Sequence, residues 1–179
     1  MHTLFAREHN RLCDLIKAEW PTASDEEIYQ LARKIVYAEM QIITYNEWLP
    51  TLMGPNAPSL ADHSFSMAHD PRMLTEFTTA VFRFGHSLLQ DSLTLGYSKL
   101  LTSSLPLRNA FFNPSFLSGS PENVELLIGG LLLDHAQEVD VHVTGEVRNF
   151  LFAVNGVTAC LDLPALNIQR GRDHGYVRF

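Results

Sequence analysis

The chain has 179 residues, of which 46% are hydrophobic and 18% charged, and its net charge is −7. That apolar content is enough to bury the core of one domain. The negative charge argues against nucleic acid or an anionic membrane surface as a partner, and no apolar run is long enough to span a bilayer.

In chain order, Thr3 to Trp20 reads as a first helix ended by Pro21. Ser24 and Glu27 have the spacing of a capping box, which opens a long second helix towards Tyr45. Pro50, Gly54, Pro55 and Pro58 mark a loop, and the polar stretch to Asp70, with His63 and His69, reads as exposed. Pro71 suits a first helical turn. Met73, Phe77, Val81, Phe84 and Leu88 then recur at helical spacing, which predicts a helix from Asp70 to Gln90. Leu93 to Pro121 is a Ser-, Pro- and Asn-rich connector with one short helix, Leu107 to Phe112. Glu122 to Asp134 and Thr144 to Phe152 are two further helices. Within the first, Leu126 to Leu133 is interrupted by two glycines and reads as a buried helix. Asp162 as N-cap and Pro164 in the opening turn begin a last helix. The fold class is mainly α with little or no β, without repeats or low-complexity tracts.

Two side chains carry the chemistry. His86 stands on a stripe beside the apolar one, with Phe82 and Arg83 one turn before it and Gly85 adjacent. A flat macrocycle needs room beside the helix that holds its axial ligand, and anionic substituents on it need a cation, which Arg83 offers. The same histidine also fits a plain hydrogen-bonded structural role. Asn167 is an amide among apolar neighbours in the last helix. It suits an orienting partner for a ligand histidine, or equally a cap on nearby backbone. Other constellations are weaker. His2 and His9 are seven apart, but no cysteine or carboxylate cluster completes a zinc site. There is no nucleophile elbow and no phosphate-binding glycine loop. Cys13 and Cys160 fit one disulfide or two buried thiols. Pro114 blocks glycosylation at Asn113. The amino terminus carries no basic segment with an apolar core behind it, so no secretory signal is expected within this chain.

Four stretches resemble the animal haem peroxidase family, in the family's order: Met1 to Leu12, Ala32 to Val36 with Gln41 to Tyr45, Phe82 to His86, and Leu161 to Gly175. The resemblance implies a partial domain of that helical family over residues 1–179, holding the proximal part of a haem site. It implies that His86 is the proximal ligand of the haem iron and Asn167 its hydrogen-bonding partner. Arg83 and Arg170 are implied as propionate contacts, and Phe82, Leu163 and Leu166 as pocket lining. The implied cofactor is haem b, which in the full-length parent can be covalently linked. The distal catalytic residues, the haem-linking carboxylates and the calcium loop are expected before the segment matching Met1, so no catalytic residue is expected in this chain. The final Tyr176-Val177-Arg178-Phe179 departs from the family's usual Leu-Pro continuation.

The implied function is that of a hydrogen-peroxide-dependent haem oxidoreductase acting on a small reducing substrate, of the kind that meets oxidative stress. An extracellular or secretory-pathway setting is implied by the family alone, and nothing in the sequence sets an oligomeric state. The alternative is a non-catalytic, peroxidase-like helical module that acts by packing against other protein.

Overall fold

The structure, a computed structural model, describes residues 1–62, 64, 66–98, 102–152 and 162–175. His63, Cys160, Leu161 and the segment Tyr176 to Phe179 lie outside the described residues. The chain divides into two compact units, Met1–Asp70 and Pro71–Phe179.

The first unit is built on α1 (His2–Glu19) packed against α2 (Asp25–Ile43). Leu12 and Ile16, one turn apart, meet Ile28, Ala32 and Val36, which recur at the same spacing on α2. Phe5, Cys13 and Ile35 flank this core. The capping box forms as the sequence predicts: the Glu27 backbone N–H donates to Ser24 Oγ at 3.3 Å, and the Ser24 N–H donates to the Glu27 carboxylate at 2.8 Å. α2 then runs on through a π turn, Thr44–Trp48, into α3 (Leu49–Met53). Pro50 therefore lies within a continuous helical run instead of opening a loop. The run is continuous there, and the π turn directly before Pro50 is where the ladder is irregular and can do without the N–H that the proline lacks. The chain turns away at Gly54, whose φ of 63° is open to glycine at little cost.

The second unit departs from expectation in three places. The predicted helix from Asp70 to Gln90 is shortened and broken: α4 spans Thr75–Thr79, Ala80 has φ −128° and ψ −67°, and a 3₁₀ segment covers Val81–Leu88. The hydroxyls of Thr78 and Thr79 donate to the Thr75 carbonyl at 3.0 and 2.6 Å, a back-bonding that competes with the helical ladder just where α4 ends. The predicted connector holds an antiparallel pair, β1 (Ser92–Gly96) and β2 (Thr102–Pro106), in register from Ser92 opposite Pro106 to Gly96 opposite Thr102. Its helix is cut to α5 (Leu107–Ala110) and is followed by α6 (Pro114–Gly119), capped by the Asn113 side chain. Finally, α7 (Pro121–Leu133) has one covered face only, and Leu132 on the other is 83% exposed. A π turn, Glu146–Phe150, and α8 (Leu163–Asp173) complete the unit.

The two glycines of α7 are explained by close approach to β1. A Cβ at Gly129 would stand 2.3 Å from the Gly96 carbonyl oxygen, and one at Gly130 would stand 1.7 Å from that of Thr94. Helix and strand therefore meet backbone to backbone. Gly130→Ala tests this by its sign. Helix propensity alone would stabilise the protein by about 1 kcal/mol, whereas the clash should destabilise it by about 1–3 kcal/mol. Urea unfolding followed by circular dichroism should show a loss.

Candidate functional site

The local sequence sets α8 in place. Asp162 Oδ1 accepts from the Ala165 N–H at 2.5 Å, and Pro164 lies in the first turn, so the N-cap predicted from sequence forms. Leu163 lies one helical turn before Leu166 and Asn167, which places the three half-buried side chains together on one face. Arg170 follows a turn later and is exposed.

Across from this face is the 3₁₀ segment carrying His86. Asn167 Nδ2 lies 2.8 Å from His86 Nδ1, a contact spanning 81 residues of sequence. Two proton arrangements suit that distance. The amide NH₂ can donate to a bare Nδ1, leaving the imidazole proton on Nε2. With the amide turned over, its oxygen accepts from Nδ1–H and the Nε2 lone pair is free. The second is the form a metal requires of a histidine bound through Nε2, because the ligating nitrogen carries no proton. Ser87, next in sequence, fixes the segment: its buried hydroxyl donates to the Phe84 carbonyl at 3.0 Å and accepts from the Asp140 N–H at 3.4 Å.

Electrostatics keep the ring neutral. Burial pushes the His86 imidazolium to titrate below the ordinary histidine range, and the positive charges of Arg83 and then Arg170 push the same way. The two arginines thus lie close enough to His86 to be felt. Two buried polar atoms have no hydrogen-bond partner among the described residues, Arg83 Nε and Asn167 Oδ1. Turning the Asn167 amide over gives its oxygen the His86 Nδ1–H, whereas Arg83 Nε still calls for a polar group from outside the described residues. Arg83 Nε is a charged donor and calls for an anion. Phe82 is 59% exposed, with its ring 5.5 Å from that of Phe77, and a Cβ at Gly85 would meet nothing within 4 Å. A neutral imidazole, a buried cationic donor and an open apolar flank fit a planar, anionic, iron-holding group.

The remaining expected residues have other surroundings. His9 Nε2 lies 3.3 Å from the Tyr29 carbonyl, with its ring tilted 60° to that of Tyr29. His2 is exposed on α1, and His69 is exposed as predicted. Among the described residues no group of three or more His, Cys, Asp or Glu side chains is arranged to hold a metal, and no helix is long and apolar enough to cross a membrane. Cys13 is a half-buried thiol 3.6 Å from His9 Nδ1. Sequence reasoning missed the buried Glu146 and its partner Arg108, which hold the turn beside α8. A charged residue in a polar stretch has no periodicity to betray its burial.

The whole chain, residues 1–179, matches the family model for the animal haem peroxidase. Peroxinectin A of Dictyostelium discoideum is 37% identical over 177 residues, covering 98% of this chain and 32% of that protein. Myeloperoxidase of Mus musculus is 39% identical over 186 residues, covering 98% of this chain and 25% of that protein. Among solved structures, peroxidase A from Dictyostelium discoideum superposes with a TM-score of 0.77 at 34% identity, covering 96% of this chain and 32% of that one. The chain therefore spans between 25% and 32% of the length of these relatives.

The surroundings of His86 predict its titration. In the haem-free protein, its imidazole should titrate below the free value of about 6.5, and Arg83→Gln should move it back up. Between the two values the unfolded chain holds a proton that the folded protein does not. This group's contribution to stability is therefore full above the unfolded value and is lost as pH falls through the folded one. Histidine ring NMR against pH measures it; a midpoint at or above the free value contradicts the arrangement.

Proposed function

Given that this chain belongs to the animal haem peroxidase family, we propose that it supplies the proximal side of the haem site in a hydrogen-peroxide-dependent oxidoreductase. The observation that carries this is the 2.8 Å contact between His86 and Asn167. His86 holds the iron through Nε2. Asn167 turns its amide oxygen to Nδ1–H, which fixes both tautomer and ring direction. Arg83, with its buried unpaired Nε, takes a haem propionate, and the exposed Arg170 a second. Phe82, Leu163 and Leu166 supply apolar surface to the ring and keep water from the ligand side.

When bound, haem b supplies the redox chemistry by which peroxide is reduced and a small reducing substrate oxidised. The residues of this chain would hold that haem and set how strongly its ligand histidine donates. A histidine bonded to a neutral amide donates less electron density than one bonded to a carboxylate, so Asn167 leaves the metal relatively oxidising. No residue of this chain is assigned to peroxide cleavage. An extracellular or secretory-pathway setting and a role in oxidative stress accompany the same proposal.

A second function, a non-catalytic packing module, is favoured by one feature. Met73, Leu74, Val81, Phe82 and Ile168 are between 59% and 72% exposed, an apolar surface that other protein could cover instead of haem. Haemin titration followed by the Soret band separates the two. Wild type should bind, and His86→Ala should lose the histidine-ligated spectrum. Asn167→Ala should weaken binding by about 10- to 100-fold. No histidine-dependent spectrum in wild type would leave the packing function standing. Asn167→Asp should lower the reduction potential of the bound haem, measured by spectroelectrochemistry; an unchanged or higher value would sink the role given to the amide.

A further inference from the structure

We propose that the ion pair between the exposed Arg108 and the buried Glu146 positions Asn167 against His86, acting through the segment 134–150 that links the two halves of the site. Its meaning for function rests on the proximal-haem proposal.

Among the described residues, only Ser87 and Glu146 are polar and buried, and they anchor the two ends of one strap of chain. At the His86 end, the Asp140 N–H donates to Ser87 Oγ at 3.4 Å, the Gln137 N–H donates to the Leu88 carbonyl at 3.1 Å, and Gln90 Nε2 donates to the His135 carbonyl. These partners are the residues directly following the histidine. At the other end is the π turn Glu146–Phe150, which packs against α8, the helix that carries Asn167.

Arg108 grips both ends of that turn. Its backbone N–H donates to Glu146 Oε2 at 3.0 Å, its Nε to the same oxygen at 2.9 Å, and its Nη2 to Oε1. Its guanidinium also lies over the Phe150 ring, 3.8 Å from the centroid. Thr144, just before the turn, donates to Asp91 Oδ1, and the Asp91 carbonyl accepts from the Leu107 N–H at 2.9 Å. The turn is thus held in place from the β1 side of the unit.

An ion pair with one exposed partner is a poor source of net stability, because solvent screens the attraction while the buried carboxylate still loses its water. It is a good source of fixed geometry, since losing one partner leaves a buried charge that must move or take up a proton. Glu146 released from Arg108 would carry the turn with it, and α8 rests on that turn. Among the described residues Arg108 and Glu146 hydrogen-bond to each other and not to His86 or Asn167, so they are positioning residues.

The test reads the His86 tautomer by long-range proton–nitrogen NMR in the haem-free, full 179-residue chain. Wild type should show one tautomer. Arg108→Met should show a mixture, and haem affinity should fall about 10-fold or more, in the range of a lost orienting partner. Arg108→Lys keeps a charge but cannot make the fork, and should shift the spectrum less, in the same direction. Val36→Ala, in the core of the other unit, should lower the melting temperature and leave the tautomer alone. The proposal is overturned if folded Arg108→Met keeps the wild-type spectrum, or if Val36→Ala mixes the tautomers equally. If Arg108→Met does not fold, an unaltered spectrum in Arg108→Lys overturns it instead. A wild-type chain that binds no haem would overturn the proximal-haem proposal separately, because the tautomer comparison is made without haem.

Discussion

The hydrogen bond between His86 and Asn167 constrains the rest of the second unit. An imidazole serves a metal best when its other nitrogen is held and its ring is fixed, and here the holding group comes from a helix 81 residues away. Everything that places α8 against the 3₁₀ segment therefore also sets the state of the histidine. The Asp162 cap starts α8 at a defined residue, and the Ser87 hydroxyl ties down the segment beside the ring. A slip of either element by one residue would rotate its side chain by about 100° or more and lose the contact.

Charge and burial cooperate at that bond. Burial and two flanking cations all disfavour imidazolium, and no carboxylate among the described residues figures in the shift to oppose them. A carboxylate partner would hold the ring equally well but would favour the protonated form, whereas an amide orients it with no charge of its own. The arginines that keep His86 neutral are also the groups best suited to receive an anionic ligand, and Arg83 already has a buried donor unpaired. One arrangement of charge thus serves both requirements.

Legibility in the sequence followed the range of the interaction. The capping box at Ser24 and Glu27 and the start of α8 at Asp162 are local chemistry, and both were readable from spacing alone. The extent of the His86 helix was not, because the apolar period from Met73 to Leu88 persists through a segment where threonine back-bonding ends the α-helix and a 3₁₀ turn takes over. The strands were hidden in a polar connector, since their pairing depends on a helix whose glycines sit more than thirty residues away from β1. His86 and Asn167 could be named only as candidates with structural alternatives until the family resemblance joined them. The Arg108–Glu146 pair left no trace, because a buried charge is defined by its partner and the partner is 38 residues distant.

The exposed apolar residues near this site follow from the same constraint. Phe82 must stand free of the local core if it is to cover a flat group beside His86, and it does so at 59% exposure with Val81 at 60%. Exposed apolar surface of this kind carries a liability for association, which a monomeric scaffold would ordinarily remove by polar substitution. On the proposed function, polar substitution would place hydrogen-bonding groups against an apolar ring, and each would lose its water on binding without gaining a partner. On that proposal the liability and the site are one feature: an apolar surface for the face of a macrocycle, with Arg83 and Arg170 close to His86 for its anionic edge.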